Sequence, residues 1–305
     1  YKPKSLILFE TEIWPNMISQ AFNNKIPVIL SNGRISESSF NSYKKLNLLS
    51  KEVFTKITHA FVQSEAHKER FNLLGINEKR ISSVGSVKFD VEINNNPLRN
   101  NFEEKIFLAA STHKKEDEII INLYLKLLED YEDLKLIIAP RHPERAESIQ
   151  RLLTNFNLDS SLSKEIPKDF IKHNVHVIKA TGLLRDLYSI ATLAFVGGSL
   201  FKEYGGHNII EPASEKCPFI VGPFMKNFLD IINEFKHHDA CFQIHDEKEL
   251  LNSSSSLLND DELRDDMSTR AAEVCLKGQG SFQKQCNTIL KIIRGDKIEI
   301  SNSNH

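Results

Sequence analysis

Glu10-Thr-Glu12-Ile-Trp14-Pro15-Asn16 follows the apolar run Ser5-Leu-Ile-Leu-Phe9, so two like charges stand at the end of a strand-like segment. Unpaired charge is costly beside a buried strand, so these carboxylates need partners. A second group of residues lies farther along. Phe195-Val-Gly-Gly198-Ser199 is followed by Gly205-Gly206-His207-Asn208-Ile-Ile-Glu211-Pro212. Paired glycines after a strand permit close backbone approach, and a second pair before a helix leaves N–H groups at its positive end. A nucleotide phosphate suits that place, with Glu211 one turn into the helix to accept hydrogen bonds from ribose hydroxyls. Ser111-Thr112-His113 opens another helix with hydroxyls and free N–H groups that suit an anion, or serve as an ordinary cap. In Arg141-His142-Pro143, Pro143 suits a first helical turn and aims Arg141 and His142 toward the same crevice as partners for phosphate.

The elements that must position these residues form two series. Short β-rich runs alternate with amphipathic stretches, the pattern of parallel sheets covered by helices. The first series predicts strands near Ser5–Phe9, Ile26–Leu30 and Ala60–Val62 and ends around Val84-Gly85-Ser86. The second predicts strands near Ile106–Ala110, Leu134–Ala139, Val175–Ile178, Leu193–Val196, Pro218–Val221 and Cys241–Ile244. Polar, turn-forming residues from Val91 to Pro97 read as a linker. The expected organisation is therefore an α/β chain with a partial domain over 1–90, a linker over 91–100, a doubly wound domain over 101–294 and a polar tail over 295–305. Ligands of the second domain should sit beyond the carboxyl ends of its strands.

Bulk properties limit the partners. The 305 residues are 40% hydrophobic and 26% charged, with 39 basic against 41 acidic residues and a formal net charge of −2. No global basic field points to nucleic acid or an anionic membrane. Cys217, Cys241, Cys275 and Cys286 show no paired spacing and read as reduced thiols. His173-x-x-His176 has no helpful further ligand, so no metal and no cofactor are assigned. The longest apolar stretch, Ile190 to Leu200, is too short to span a bilayer. A Tyr at position 1 followed at once by a strand makes the beginning look cut.

Six motifs carry a resemblance. Glu10-Thr-Glu-Ile-Trp-Pro-Asn16, Asn32-Gly-Arg34-Ile-Ser-Glu37, Gly85-Ser-Val-Lys88-Phe-Asp90, Ala110-Ser-Thr-His113, Pro140-Arg-His-Pro-Glu144 and Gly205-Gly-His-Asn-Ile-Ile-Glu-Pro-Ala213 resemble, in order, motifs of the 3-deoxy-D-manno-octulosonic acid (Kdo) transferases. The resemblance implies a GT-B fold of two Rossmann-like domains, the amino-terminal one incomplete here. It implies an inverting glycosyltransferase that uses CMP-Kdo as donor and the lipid A precursor as acceptor, without metal at the transfer step. The setting would be lipopolysaccharide assembly at the cytoplasmic face of a Gram-negative inner membrane. By the resemblance, members begin with a membrane-anchoring helix and further β-α units that carry a catalytic Glu. This chain would reach the membrane peripherally through that absent part, and its first sheet would expose apolar edges.

By the same resemblance the second domain binds the nucleotide. The donor-binding candidates are Ser111, Thr112, Arg141, His142, Gly198, Ser199, Gly206, His207, Asn208, Glu211 and Asn227. The catalytic candidates are Glu10, Glu12, Arg34 and Lys88. In an extended segment residues i and i+2 share a face, so Glu10 and Glu12 are expected together at the cleft between domains. There they would meet Arg34, Lys88 or sugar hydroxyls. Two positions depart from the family pattern: Gly182-Leu183-Leu184 stands where Gly-Glu-Leu is common, and Phe224 stands where His often follows Gly-Pro. Two other readings stay open, a GT-B enzyme using a UDP-sugar and a non-catalytic nucleotide-binding remnant.

Overall fold

The computed structural model describes residues 2–46, 48–98, 103–167, 170 and 172–296. The end of the expected linker and residues 297–305 of the expected tail lie outside the described residues. The chain divides into two compact units, one of residues 1–90 with 278–305 and one of residues 91–277.

The first unit runs β1 (Leu6–Phe9), α1 (Pro15–Asn23), β2 (Val28–Gly33), α2 (Glu37–Leu46), α3 (Leu48–Thr55), β3 (His59–Val62), α4 (Glu65–Leu73) and β4 (Ile81–Ser83). The strands form one parallel sheet in the order β1-β2-β3-β4. Three strands were expected here. The fourth was missed because Ile81-Ser-Ser83 offers one apolar residue and no alternation, and its pairing with β3 recruits it. Central β2 is buried along its whole length, as a strand covered on both faces must be. Edge strand β1 leaves Ile7 and Phe9 about half exposed.

The carboxyl-terminal helix corrects the expected boundary. The helix α12 (Ser281–Arg294) groups with the first unit, not with the second. Its amphipathic pattern shows that it packs but not on which core. Gln285 decides: its buried side-chain carbonyl accepts from Ser31 Oγ at 2.6 Å and Asn32 N at 3.3 Å. Asp90 accepts from the amides of Gly280 and Phe282 at 2.6 and 2.7 Å, and Gly278 abuts the Phe89 ring where a Cβ would not fit.

The second unit comprises β5 (Ile106–Thr112), α5 (Lys114–Leu127), β6 (Lys135–Pro140), α6 (Ala146–Asn155), β7 (Ser160–Ser163), β8 (Val175–Ile178), α7 (Leu184–Ile190), β9 (Leu193–Val196), α8 (Ile210–Ser214), β10 (Phe219–Val221), α9 (Leu229–His237), β11 (Phe242–Gln243), α10 (Glu247–Asn259) and α11 (Asp261–Gly278). Its parallel sheet has the order β11-β10-β9-β5-β6-β8-β7. The polar edge strand β7, Ser-Ser-Leu-Ser, carries no sequence signal and was not expected. From β5 the strand order runs to β6 on one side and to β9 on the other, so the crevice beyond their carboxyl ends is a topological switch point. Within this unit residues 91–98 are held by hydrogen bonds. Asn94 N donates to Ser214 O at 2.7 Å, and Leu98 N donates to Ser189 Oγ at 2.9 Å.

Candidate functional site

In the second unit the loops after β5, β6 and β9 converge. Ser111 has a φ of 55°, and the β5–β6 register shifts between Ala110 and Thr112. This kink turns the Thr112 carbonyl toward the β6 loop, where it accepts from Arg141 N at 3.0 Å and Arg145 Nη1 at 2.8 Å. The next residue, His113, reaches across the crevice. Its Nε2 lies 2.9 Å from His207 Nε2, and its ring stacks on Tyr204 at 3.8 Å between centroids. The His142 ring meets it edge-on at 5.9 Å. Arg141 is exposed, and its guanidinium takes no partner among the described residues. The backbone amides of His207 and Asn208 likewise find no acceptor among the described residues.

The glycine loop does not do what was expected of it. The Glu116 carboxylate, fully buried at the start of α5, accepts from Gly198 N at 2.7 Å, Ser199 N at 3.0 Å, Leu200 N at 3.1 Å and His113 N at 2.9 Å. The amides of Gly198 and Ser199 are therefore spent on an internal anion. The Ser199 hydroxyl is spent as well, donating to Val196 O at 2.6 Å and accepting from Gly222 N at 2.8 Å. Gly206 N donates to Gly198 O at 2.7 Å. Thr112 is wholly buried. Of these expected phosphate contacts, the donors of Gly198, Ser199 and Gly206 hold the loop instead, and Thr112 lies beneath the surface.

Asn227 also acts on the loop: its N donates to Gly205 O at 2.8 Å and its Nδ2 to Tyr204 O at 2.9 Å. Just before α8, Asn208 Oδ1 accepts from Ile210 N at 3.1 Å, and its Nδ2 donates to Glu211 Oε1 at 3.1 Å. The Glu211 carboxylate stays partly exposed in the first turn of α8. Ser111, Arg141, Thr181, Leu183, Ile178 and Leu187 line a small cleft.

The electrostatics follow from this crowding. His207 is pushed down to about 4, first by burial and then by His113, Arg141 and His142. His113 is also held below the ordinary imidazole value, by burial and then by His142, Arg145 and Arg141. Burial raises Asp117 to about 6 against the pull of its ion pair with Arg145. At neutral pH the site therefore offers arginine charge, two neutral imidazoles and unspent amides, a combination suited to a phosphate.

The first unit answers the question posed by Glu10. Its carboxylate lies 2.7 Å from Lys88 Nζ and 3.4 Å from Arg34 Nε. Glu12 does not join it. The strand ends at Phe9, Glu10 adopts a φ of 55°, and Glu12 N turns back to Phe9 O at 3.2 Å. Alternation stops there, so the two carboxylates do not share a strand face. The exposed Glu12 side chain accepts from Trp14 Nε1 at 2.8 Å.

Glu116, Tyr204 and Arg145 were not among the expected site residues. A Glu three positions after His113 was a readable signal for a helix-start contact, whereas nothing local in the sequence announces where Tyr204 or Arg145 points.

A parallel α/β unit with a topological switch point defines a doubly wound class, and comparison with known proteins gives the family. Residues 1–91 match the family model described as 3-Deoxy-D-manno-octulosonic-acid transferase (kdotransferase), and residues 89–274 match Glycosyl transferases group 1. A 3-deoxy-D-manno-octulosonic acid transferase of Haemophilus influenzae is 32% identical over 296 residues, covering 93% of this chain and 68% of that protein. A bifunctional glycosyltransferase/methyltransferase of Fusobacterium nucleatum is 35% identical over 270 residues, covering 85% of this chain and 41% of that protein. The chain belongs to the 3-deoxy-D-manno-octulosonic acid transferase family. The chain spans 41%, 68% and 56% of the length of three curated relatives it matches, so it corresponds to part of their length.

Among solved structures, the C-terminal CMP-Kdo binding domain of WaaA from Acinetobacter baumannii is similar with a TM-score of 0.54 and 28% identity, over 58% of this chain and 91% of that one. S. aureus MnaA, solved with UDP, shares the two-unit GT-B-like fold with a TM-score of 0.63 at 14% identity, over 99% of this chain and 79% of that one.

Proposed function

We propose that this chain is the donor-binding unit and part of the acceptor-binding unit of an enzyme that transfers Kdo from CMP-Kdo to a lipid A precursor. The observation that carries the reading is the switch-point cluster of the second unit, where Arg141 acts electrostatically on His207 and neither its guanidinium nor the amides of His207 and Asn208 take a partner among the described residues. A leaving CMP needs its phosphate charge stabilised by fixed donors, which this cluster supplies. In this reading Glu211, partly exposed and hydrogen-bonded by Asn208, accepts from ribose hydroxyls. Similarity to a CMP-Kdo binding domain supports cytidine over other bases.

In the first unit Glu10 holds Arg34 and Lys88 in register, and these cations suit an anionic sugar acid or the phosphates of the acceptor. Transfer with inversion needs a base to take the acceptor hydroxyl proton. Glu12, solvent-open and oriented by the Trp14 indole, is the carboxylate assigned to that step in this reading. The lipid acceptor sets the place of reaction, in this reading the cytoplasmic face of the inner membrane, although no described helix is long and apolar enough to cross a membrane.

Calorimetric titration with CMP and UDP tests the donor assignment. CMP is expected to bind more tightly than UDP, with Arg141→Ala weakening CMP by about tenfold or more, the scale of a lost charge-assisted hydrogen bond. Preference for UDP would transfer the chain to the UDP-sugar branch of the same fold. Transfer activity is read by CMP release from CMP-Kdo in the presence of the lipid A precursor, and wild-type turnover by a Glu12→Gln enzyme would remove Glu12 as the base.

A further inference from the structure

Three successive backbone N–H groups turned to one point make a cradle for an anion, and in a nucleotide-binding unit that is where a phosphate would be sought. Here the run Gly198, Ser199, Leu200 is already filled by the Glu116 carboxylate, which is fully buried. A helix-start Glu ordinarily reaches back only to its own cap. Glu116 does that through His113 N, but its other three donors lie 82 to 84 residues away in sequence. It joins the first turn of α5 to the loop after β9.

Resting on the nucleotide reading above, we infer that Glu116 is a positioning residue for the donor phosphate. Its charge fixes the Gly197–Leu200 loop, and the loop fixes the groups that meet the ligand. The couplings are short. A Cβ on Gly197 would stand 2.6 Å from Ser111 O and 2.9 Å from the Glu116 carboxylate, so the loop is pressed against both. Gly198 O accepts from Gly206 N at 2.7 Å, and the Gly198 backbone lies against the His207 ring, where an added Cβ would be 2.7 Å away. Thus the internal carboxylate occupies the obvious cradle and presents His207, Asn208 and Arg141 as the surface that takes the external phosphate.

The chemistry of the clamp requires a carboxylate. Four N–H donors converge on two oxygens, which an acceptor-only group satisfies. A glutamine would direct its own NH2 at two of those donors. Glu116→Gln is therefore expected to release the loop while preserving side-chain size, and Glu116→Asp, which keeps the charge but shortens the reach, should rank between it and the wild type.

The test measures CMP by calorimetry and cytidine by saturation-transfer NMR on wild type, Glu116→Gln and Glu116→Asp, with thermal unfolding alongside. The expected result is CMP affinity lowered about tenfold or more in Glu116→Gln, by less in Glu116→Asp, and cytidine affinity unchanged, because the phosphate contacts alone are displaced. CMP binding within about twofold of wild type in either folded variant would overturn the inference. Equal losses for CMP and cytidine would also overturn it, since they mark a domain-wide defect. If Glu116→Gln does not fold, the Glu116→Asp comparison decides by the same criteria. Failure of the wild type to bind CMP would instead overturn the donor reading on which the inference rests.

Discussion

At the scale of single residues the site works through groups held away from their ordinary ionisation. His207 is neutral down to about pH 4, because burial and the neighbouring His113, Arg141 and His142 all disfavour its cation. A bound phosphate adds the missing negative charge and shifts that balance toward imidazolium. CMP binding is therefore expected to raise the His207 titration midpoint and to take up protons as pH falls toward 5. Imidazole NMR across pH with and without CMP measures the first effect, and calorimetry in buffers of different ionisation enthalpy the second. The free protein carries the matching stability signature. A folded value below the unfolded 6.5 means that the native state binds fewer protons, so this contribution is present above 6.5 and lost as pH falls through 6.5 toward 4. Asp117, raised from 3.8 to about 6, acts oppositely over the lower part of that window. Residue types at Arg141, His207 and Glu211 were legible in the sequence. The occupancy of the Gly198 and Ser199 amides was not, because it depends on a carboxylate more than 80 residues away.

At the scale of elements, the glycines after β9 set how closely two segments approach. Gly198 has a φ of 68°, and its α-carbon faces the His207 imidazole with no room for a side chain. Gly198→Ala adds a left-handed strain of about 1–2 kcal/mol and pushes His207 out of place. Scanning calorimetry should register the stability loss, and CMP affinity should fall with it. Strand and helix order followed from the sequence wherever apolar runs were long, as in Ile106–Ala110 and Leu193–Val196. It failed at β4 and β7, whose Ser-rich segments become strands only through their neighbours. The strand-face argument for Glu10 and Glu12 failed for a related reason: the pattern of residue types does not reveal that Glu10 turns left-handed at the end of β1.

At the scale of the whole chain, the sequence shows two α/β series in order but not the return of α12 to the first unit. The amphipathic stripe of α12 specifies burial without naming a partner, and polar contacts choose it, through Asp90 at the helix start and Gln285 within it. Gln285 accepts from Ser31 Oγ and Asn32 N inside the first unit. Gln285→Leu keeps an apolar contact but strands that hydroxyl and that amide without an acceptor, a penalty of about 1–3 kcal/mol for each buried group. The cost belongs to the first unit alone. A chain of two units has no single unfolding free energy, so the variant should lower one of two resolved thermal transitions and leave the other in place. CMP affinity, built from β5, β6 and β9 of the second unit, should stay within error of wild type. A common shift of both transitions, or a parallel loss of CMP binding, would show that the first unit and the donor site unfold as one.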